Sequence, residues 1–381
     1  MGGPRLLRAV ATMAIAGMIL LVSATIYLHP ALLDRPVALP RVTPTPPRNY
    51  VADLQVASPS VAWACVSPWL GGAIAAYATT DGGRTWRRLV PQAPSPVTGE
   101  YCTQVMDERH GTLRLGFDLF ATADGGATWR QVRLPPGQSF GNGARFLDAS
   151  SGWYLDLRFY SGQTAQPTAM WWTSDGGASW SELWRVDAGH PESAGVPLEG
   201  GKWLLGFRDA STGWMEVRRD SGNVLLATVD GGRRWSPVAL TLSEPVTAFS
   251  VTPMPDGSAV LVARTPTRWL ALPSRDGGRT WEDARPIPTA APGSGQSEDL
   301  PSFADHDHWS IASGRRVLVT SDAGRNWRPV STSLPAGITL LHDLWLTGAP
   351  GGWALAEDIS HSMRVLHTAD GGAHWSRSPL T

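Results

Sequence analysis

Seven short segments of the chain place an aspartate between a serine or threonine and a tryptophan, and a carboxylate beside a hydroxyl can serve acid–base chemistry. The first segment reads TTDGGRTW at 79–86, and the last reads TADGGAHW at 368–375. A catalytic site needs unlike residues that converge on one point, whereas these segments recur every 43 to 55 residues. We therefore interpret them as structural and predict no catalytic residue among them. Their aspartates, final glycines and tryptophans are Asp81, Gly83, Trp86, Asp124, Gly126, Trp129, Asp175, Gly177, Trp180, Asp230, Gly232, Trp235, Asp276, Gly278, Trp281, Asp322, Gly324, Trp327, Asp370, Gly372 and Trp375.

Three acids outside these segments are candidates for a carboxylate pair, namely Asp148, Glu216 and Asp305. Two carboxylates suffice for glycoside hydrolysis, and their separation cannot be read from a sequence. Nothing around these acids distinguishes them. A carbohydrate-active or carbohydrate-binding protein therefore stays the alternative to a non-catalytic one, and enzyme status stays uncertain.

The run Asp305-His306-Asp307-His308 has the residue types of metal ligands. In a strand, its aspartates would face one side and its histidines the other. It also lies where other repeats have a polar turn such as DASSG at 148–152. We interpret the run as a solvated turn, and we predict no metal site and no cofactor.

The two cysteines, Cys65 and Cys102, are too few for a disulfide scaffold or a zinc site built from cysteines. They fall on strands of the first and second repeats that could be neighbours across the boundary between the repeats. A disulfide is plausible in an exported protein. We expect a Cys65–Cys102 bridge, with two buried free thiols as the alternative.

The repeated segments predict the elements that carry them. Each follows a short apolar stretch, and its Asp-Gly-Gly core suits a tight chain reversal, since Asp bonds to nearby backbone and Gly adopts positive φ freely. A second tryptophan opens an earlier strand in five repeats: Trp63, Trp153, Trp214, Trp309 and Trp353. With an apolar stretch ahead of it, each repeat reads as four strands, the signature of a β-propeller blade.

Composition agrees with an all-β fold. The chain has 41 glycines, 31 prolines and 19 tryptophans among 381 residues. The glycine and proline argue against helices, and the tryptophan argues against disorder. A net charge of −1 offers no basic field for nucleic acid. We predict a seven-bladed β-propeller of four-stranded antiparallel blades over 50–381.

The amino terminus predicts export. Arg5 and Arg8 precede an uncharged run from 9 to 28, long enough to span a bilayer. Residues 1–29 are therefore expected to form a transmembrane signal anchor or a cleaved signal peptide. Residues 30–49 are rich in proline and read as a semi-rigid linker. The protein is expected outside the cytoplasm, tethered to the cell membrane, or secreted if the segment is cleaved.

The seven segments are similar to the Asp-box, or BNR, motif Ser/Thr-x-Asp-x-Gly-x-Thr-Trp, and the copies at 79–86, 122–129 and 274–281 fit every position. Such boxes occur in sialidases, sortilin-type receptors and xyloglucan-cleaving glycosidases. With seven boxes the chain most resembles the photosystem II stability and assembly factor family and its non-photosynthetic bacterial relatives. The resemblance implies a seven-bladed propeller with each box between the third and fourth strands. A sialidase would require a late tyrosine nucleophile, whereas Tyr160 is the last tyrosine.

Strand parity predicts where a partner would bind. Turns 1–2 and 3–4 of an antiparallel blade share one end, so the boxes lie opposite the connections between blades. The long connections 91–99, 187–200 and 286–301 decorate that opposite end, and loops on a rigid scaffold commonly carry function. We expect a protein or peptide partner on this loop face, near the channel mouth. We expect most of the tryptophans outside both patterns to pack between blades, and any that are exposed to be binding anchors. These are Trp69, Trp171, Trp172, Trp184, Trp203, Trp269 and Trp345.

Overall fold

The computed structural model describes residues 49–68, 75–89, 100–115, 118–135, 143–157, 165–289, 300–346 and 350–380. These residues form strands, turns and loops, and none of them lies in a helix. Accordingly, this part of the chain contains no apolar helix that could cross a membrane. The signal segment and almost all of the linker fall on residues 1–48, outside the described residues, so the anchor and the cleavable signal both remain predictions.

The strands form seven four-stranded antiparallel sheets, each built from four consecutive strands, and the fold is a seven-bladed β-propeller. Blades 1 to 3 comprise β1 (Asn49–Val56), β2 (Ala62–Pro68), β3 (Ala75–Thr79), β4 (Arg87–Leu89), β5 (Glu100–Val105), β6 (Gly111–Leu115), β7 (Asp118–Thr122), β8 (Arg130–Val132), β9 (Ala144–Phe146), β10 (Gly152–Leu157), β11 (Thr168–Thr173) and β12 (Ser181–Val186). A two-stranded hairpin follows, β13 (Glu192–Ser193) and β14 (Val196–Pro197). Blades 4 to 7 comprise β15 (Gly201–Phe207), β16 (Gly213–Arg218), β17 (Val224–Thr228), β18 (Ser236–Pro237), β19 (Ala248–Pro253), β20 (Ala259–Arg264), β21 (Trp269–Ser274), β22 (Arg285–Pro286), β23 (Ser302–Phe303), β24 (Trp309–Ser313), β25 (Arg316–Thr320), β26 (Arg328–Val330), β27 (Ile338–Leu346), β28 (Gly352–Asp358), β29 (Met363–Thr368) and β30 (Trp375–Arg377).

The second strand of a blade is buried on both faces because each blade packs between two neighbours. In β20, the first five residues of AVLVAR are buried, and β16 has the same pattern in GWMEVR. Strands covered on both faces read as nearly continuous apolar runs rather than alternating ones. First strands of adjacent blades approach one another, as β15 does with β9 and β19, which places them on the inner side of the ring.

The ring closes by packing between blades 7 and 1, since no blade borrows a strand from the other end of the chain. The Trp353 indole of blade 7 donates a hydrogen bond to the Ser58 carbonyl over 3.1 Å. It also meets Trp86 edge to face, with ring centroids 6.0 Å apart. The Ser378 hydroxyl donates to the Gly83 carbonyl of the first box over 3.1 Å. These contacts between the two ends of the chain complete the propeller.

One of the second-strand tryptophans lies out of register with the others. Trp63, Trp153, Trp214 and Trp353 each pair with the residue just before the box threonine. Trp309 pairs with the box residue Thr320 itself, and Ser310 takes the register position that tryptophan holds in those four blades. A shift of one residue turns a side chain to the other face of its sheet. Trp309 therefore opens its strand as predicted, but its side chain emerges on the opposite face of the sheet from those of the other four.

The reversed side chain of Trp309 fills the seam between blades 5 and 6. It packs with Val260 and Ile287 of blade 5 and is 2% exposed. It also meets Phe303 edge to face, with ring centroids 5.2 Å apart. The seam on the other side of blade 6 consequently lacks the indole that this strand provides in four other blades.

Candidate interaction surface

Each Asp box is a closed network of hydrogen bonds, as the first box shows. The Thr79 hydroxyl donates to Asp81 over 2.8 Å and accepts from the Gly83 amide over 3.0 Å. The Thr85 amide and hydroxyl donate to the two Asp81 oxygens over 3.0 and 2.6 Å. The hydrogen bond from the Thr85 hydroxyl, followed by that from its amide, lowers the Asp81 pKa to about 2. A carboxylate held in this way orders a turn and is a weak base.

The same three elements recur in the other six boxes. A hydroxyl donates to the aspartate, the final glycine amide donates to that hydroxyl, and the amide four residues after the aspartate donates to the carboxylate. The bonds are those of Asp124, Asp175, Asp230, Asp276, Asp322 and Asp370. One turn geometry is thus repeated around the ring.

The boxes also hold neighbouring blades together, because a donor from the preceding blade reaches a box carbonyl. The Arg87 guanidinium donates to the Gly125 carbonyl, and Arg130 donates to Gly176 over 2.7 Å. Trp153 donates its indole N–H to the carbonyl of Gly231 over 2.9 Å. Further bonds of this kind are those from Arg208 to Gly277 and from Arg285 to Ala323. These arginines were not predicted from the sequence, and an arginine directly after a box tryptophan was the available signal for the first two.

The three candidate acids are engaged in structural hydrogen bonds. Asp148 and Asp305 each accept two backbone amides of their own turn, which fixes a 1–2 turn. Glu216 is fully buried and accepts from Asn223 over 2.6 Å and from the Phe249 amide over 3.2 Å. It therefore joins blade 4 to blade 5.

The run 305–308 forms the 1–2 turn of blade 6. His306 is 4% exposed, and its ring nitrogens lie 2.8 Å from Glu282 and 2.7 Å from Asp307. His308 instead pairs with Asp305 at 2.9 Å. The two histidines thus have different partners. Among the described residues, no three potential ligands come together in a group that could hold a metal ion.

Cys65 lies on β2 and Cys102 on β5, the strands expected for them. Strands β2 and β5 approach each other across the boundary between blades 1 and 2. The sulfur of Cys65 is disulfide-bonded. The side chain of Cys102 lies outside the described part of the structure, so its pairing with Cys65 stays a prediction.

Of the three connections expected to decorate the loop face, 91–99 lies outside the described residues, as does most of 286–301. The segment 187–200 is described, and it folds back onto the rim between blades 3 and 4. Val196 of this segment is fully buried in the core there, and the Ala194 carbonyl accepts from the Trp235 amide over 2.8 Å. The segment therefore contributes packing as well as surface.

Lys202, the single lysine of the chain, fastens this segment to blade 4. Its ammonium lies 2.5 to 3.2 Å from the carbonyls of Gln166, Leu198, Glu199 and Gly200, and the residue is 2% exposed. Burial lowers the Lys202 pKa to about 8. The four carbonyl dipoles provide the acceptors that a buried ammonium needs.

Two arginine–tryptophan pairs lie at the ends of blades 4 and 5 that face away from the boxes. The Arg218 guanidinium lies 4.8 Å from the ring centroid of Trp203. The Arg264 guanidinium lies 5.5 Å from the ring centroid of Trp269. Both pairs border 2–3 turns, and the Asn223 side chain joins the two blades there through a 2.7 Å bond to the Thr247 carbonyl. We call Trp203, Arg218, Arg264 and Trp269 the Arg–Trp surface.

The other tryptophans outside both patterns that the structure describes are buried or partly buried, and Trp203 and Trp269 are partly buried as well. Trp184 is buried, and its indole donates to the Gly232 carbonyl over 2.8 Å. Trp171, Trp172 and Trp345 are partly buried. Trp69 lies outside the described residues. Inter-blade packing accounts for Trp184, whereas Trp203 and Trp269 lie at the loop face with arginines stacked on them.

A cavity of about 180 Å³ adjoins the inner strands of blades 2 to 5. Its lining includes Gln104, Arg145, Leu205 and Val251, all near the ends of first strands that lead into 1–2 turns. This end of the ring carries the boxes, because box amides bond to 1–2 turn carbonyls, as Gly176 does to Ser150 over 2.7 Å. The cavity therefore lies on the box face, whereas the expected binding surface lies on the opposite one.

Comparison with known proteins identifies the repeat and the fold. A family model described as a BNR repeat-like domain matches residues 136–336, more than half of the chain. The solved structure of YCF48 bound to D1 peptide is 17% identical, with a TM-score of 0.51 over 85% of this chain and 94% of that one. YCF48 from Cyanidioschyzon merolae is 16% identical, with a TM-score of 0.50 over 85% of this chain and 97% of that one.

A GH74 xyloglucanase from Xanthomonas campestris is 15% identical, with a TM-score of 0.55 over 86% of this chain. The match covers 54% of the xyloglucanase, so this chain spans about half of that enzyme's length. Similarity at these identities shows a shared fold. No curated protein matches the sequence.

Proposed function

The chain belongs to the BNR repeat-like family, and we propose that it is a non-catalytic propeller that binds a protein or peptide partner as an assembly scaffold. The observation that carries the proposal is the Arg–Trp surface on the loop face of blades 4 and 5. Tryptophan and arginine dominate the binding energy of protein interfaces. Each stacked pair also holds its partner in place, which lowers the entropy cost of binding.

The fold of YCF48 supports the proposal by analogy. That propeller is similar along most of both chains, and its structure was solved bound to D1 peptide. A propeller of this shape can therefore present a peptide-binding surface. The present chain would use its own residues for a partner of its own.

A carbohydrate-active propeller is the second candidate, favoured by the fold shared with a xyloglucanase. The positions of Asp148, Glu216 and Asp305 weigh against hydrolysis, because each carboxylate already bonds to amides that fix a turn or a seam. Incubation of the purified protein with xyloglucan oligosaccharides tests this candidate. Release of reducing ends above the level of a heat-denatured sample would favour the enzyme over the scaffold.

Capture of partners from native membranes tests the binding proposal. The variants Trp203→Ala and Arg218→Gln each remove half of one stacked pair, and glutamine retains an N–H for the buried Glu216. We expect a partner that the wild type captures to fall about tenfold with either variant, roughly 1.4 kcal/mol of binding free energy. The control Arg84→Ala changes an exposed arginine on the box face and should capture normally. Equal capture by all three variants would count against the Arg–Trp surface.

We further propose that the propeller acts outside the cytoplasm behind a membrane anchor. Arg5, Arg8 and the uncharged run that follows support this location, and the proline-rich linker would hold the propeller away from the bilayer. Amino-terminal sequencing of the native protein distinguishes the two forms. A mature start at Thr25 would replace the anchor with a cleaved signal peptide.

A further inference from the structure

The seam between blades 6 and 7 contains a cavity of about 360 Å³, which we call the seam cavity. Its lining includes Trp309, Ser310, Val319, Arg328, Val330 and Leu346. In four other blades, the second-strand tryptophan fills the seam toward the next blade. Trp214, for example, would lie 2.4 Å from a Cβ atom placed on Gly278 of the following box.

The seam cavity marks the place of a missing indole. Ser310 holds the register position of Trp214 and its three counterparts. Ser310 and Ala312 lie on the same face of β24, and Ala312 packs against the blade 7 core. The serine hydroxyl therefore points toward the seam where the other blades place an aromatic ring. Leu346 of blade 7 lies across the same space.

Two polar groups at the seam cavity lack the partners that their position predicts. Ser310 is 3% exposed, and its buried hydroxyl has no hydrogen-bond partner in the described part of the chain. A buried hydroxyl without a partner lowers stability, and a ligand that forms a hydrogen bond with it would recover that free energy. The hydroxyl is therefore an unused donor and acceptor at a cavity that is also lined by the apolar residues Val319, Val330 and Leu346.

Arg328 is the second such group. It pairs with Val319 just as Arg87 pairs with Ala78, one position before the box threonine. Arg87 donates to a carbonyl of the next box, whereas the Arg328 guanidinium makes no hydrogen bond or ion pair with any described residue. A free guanidinium thus lines an aromatic-sized cavity, and guanidinium groups bind carboxylates in bidentate fashion.

We propose that the seam cavity binds the carboxyl-terminal aromatic residue of a peptide. The ring takes the volume that an indole fills in other seams, the terminal carboxylate pairs with Arg328, and the Ser310 hydroxyl bonds to a polar atom of the bound residue. The inference rests on the proposed function and names part of its ligand. It lies on blades 6 and 7, apart from the Arg–Trp surface on blades 4 and 5.

The probe is the peptide N-acetyl-Gly-Gly-Trp with a free carboxylate, titrated into the full-length protein and followed by ligand-observed NMR. We expect it to bind at least tenfold more tightly than N-acetyl-Gly-Gly-Trp amide and than N-acetyl-Gly-Gly-Ala. The first comparison measures the contribution of the carboxylate, and the second measures that of the ring. Equal binding of the acid and the amide, or no detectable binding of the acid, would overturn the proposal.

Two variants locate the site. Ser310→Trp places in blade 6 the side chain that four other blades carry, so we expect loss of peptide binding together with a higher melting temperature. Arg328→Gln removes the cation without breaking any bond between described residues, so the acid should then bind no better than the amide. Arg84→Ala is the matched control and should bind like the wild type. Wild-type affinity in a folded Ser310→Trp or Arg328→Gln protein would refute the site.

The same variants separate this inference from the proposed function. If Ser310→Trp captures partners normally but loses the probe peptide, both proposals hold as independent sites. If Trp203→Ala still binds the probe peptide but loses the captured partner, the same conclusion follows from the other side. If the wild type captures a partner and ignores the peptide, the seam proposal fails and the proposed function stands.

Discussion

Adding one methyl group to Gly278, the final glycine of the fifth Asp box, should destabilise the fold more than adding one to Gly371 of the seventh box. The φ of Gly278, +83°, lies in the left-handed region, and a Cβ atom there would lie 2.4 Å from Cζ2 of Trp214. Trp214 is 1% exposed in the seam between blades 4 and 5, so its indole has little room to move. Gly278→Ala should therefore cost about 1 kcal/mol in backbone strain and about 1–3 kcal/mol in overpacking.

Gly371→Ala is the matched control. Gly371 has a φ of +71°, and a Cβ atom there would meet no heavy atom within 4 Å. Ala323 occupies the equivalent place in the sixth box at a φ of 56°, so this position accepts a side chain. We expect the control to cost only the strain, about 1 kcal/mol. Urea unfolding followed by tryptophan fluorescence measures both variants, provided that they share one m value.

A double-mutant cycle isolates the contact itself. In a Trp214→Leu background the nearest obstructing ring is absent and Trp281 Cζ2, 3.1 Å from the added Cβ atom, is the next neighbour, so the cost of Gly278→Ala should fall toward that of Gly371→Ala in the wild type. The coupling free energy should be about 1–3 kcal/mol. A Gly278→Ala variant as stable as Gly371→Ala, or a cost that is unchanged when Trp214 is leucine, would refute the explanation.

Three further predictions concern the seams and the charged groups. Arg87→Ala should lower the free energy of unfolding by about 1 kcal/mol, because the hydrogen bond to the Gly125 carbonyl is lost. Arg328→Ala should unfold within about 0.5 kcal/mol of the wild type, and urea unfolding of both variants checks this. Lys202→Met should lower the free energy of unfolding by about 1–3 kcal/mol, because the four carbonyls that accept from the ammonium lose their donor. Amide hydrogen exchange in 187–200 should also become faster. Burial lowers the Lys202 pKa to about 8, so above pH 8 the unfolded chain binds more protons than the folded chain. The contribution of Lys202 to the free energy of unfolding should therefore rise between pH 8 and about 10, and this rise should be absent in Lys202→Met. Because the Asp81 pKa is lowered to about 2, the carboxylate contributes fully to stability above about pH 4, and this contribution is lost as the pH falls toward 2. Melting temperatures measured between pH 2 and 5 should therefore depend less on pH in Asp81→Asn than in the wild type.

The sequence predicted the blades because the information for a hairpin is local. The string TADGGATW contains the hydroxyl, the carboxylate and the glycines that close one turn, so seven copies were enough to identify seven four-stranded blades. The same locality explains the missed features. Whether Arg130 reaches a carbonyl 46 residues later depends on how two blades meet, and no repeat encodes that contact by itself.

Trp309 shows the limit most clearly, because the sequence predicted that it opens a strand but not the face on which its side chain emerges. In the sequence it precedes its box aspartate by 13 residues, against 17 for Trp353, and both open a strand. The face on which each side chain emerges depends on a shift of one residue in pairing with the box strand. Likewise, 187–200 looked like a free connection by length, yet it carries Val196 into the core. Spacing within a repeat therefore predicts elements, and cross-strand pairing decides what those elements contact.

The seams explain how such a regular fold can acquire a specific function. A box must retain its hydrogen bonds to reverse the chain, so substitutions there damage a blade and offer little freedom for new chemistry. The contacts at a seam vary from blade to blade. The Trp153 indole of blade 3 and the Arg87 guanidinium of blade 1 each donate a hydrogen bond to the next box, whereas in blade 6 a cavity takes the place of the indole and Arg328 makes no such bond with a described residue. Because the other seams secure the ring, one open seam costs little stability and brings polar and apolar side chains together at one cavity. The position at which the repeat departs from its own pattern is therefore where a ligand specific to this chain should be sought first.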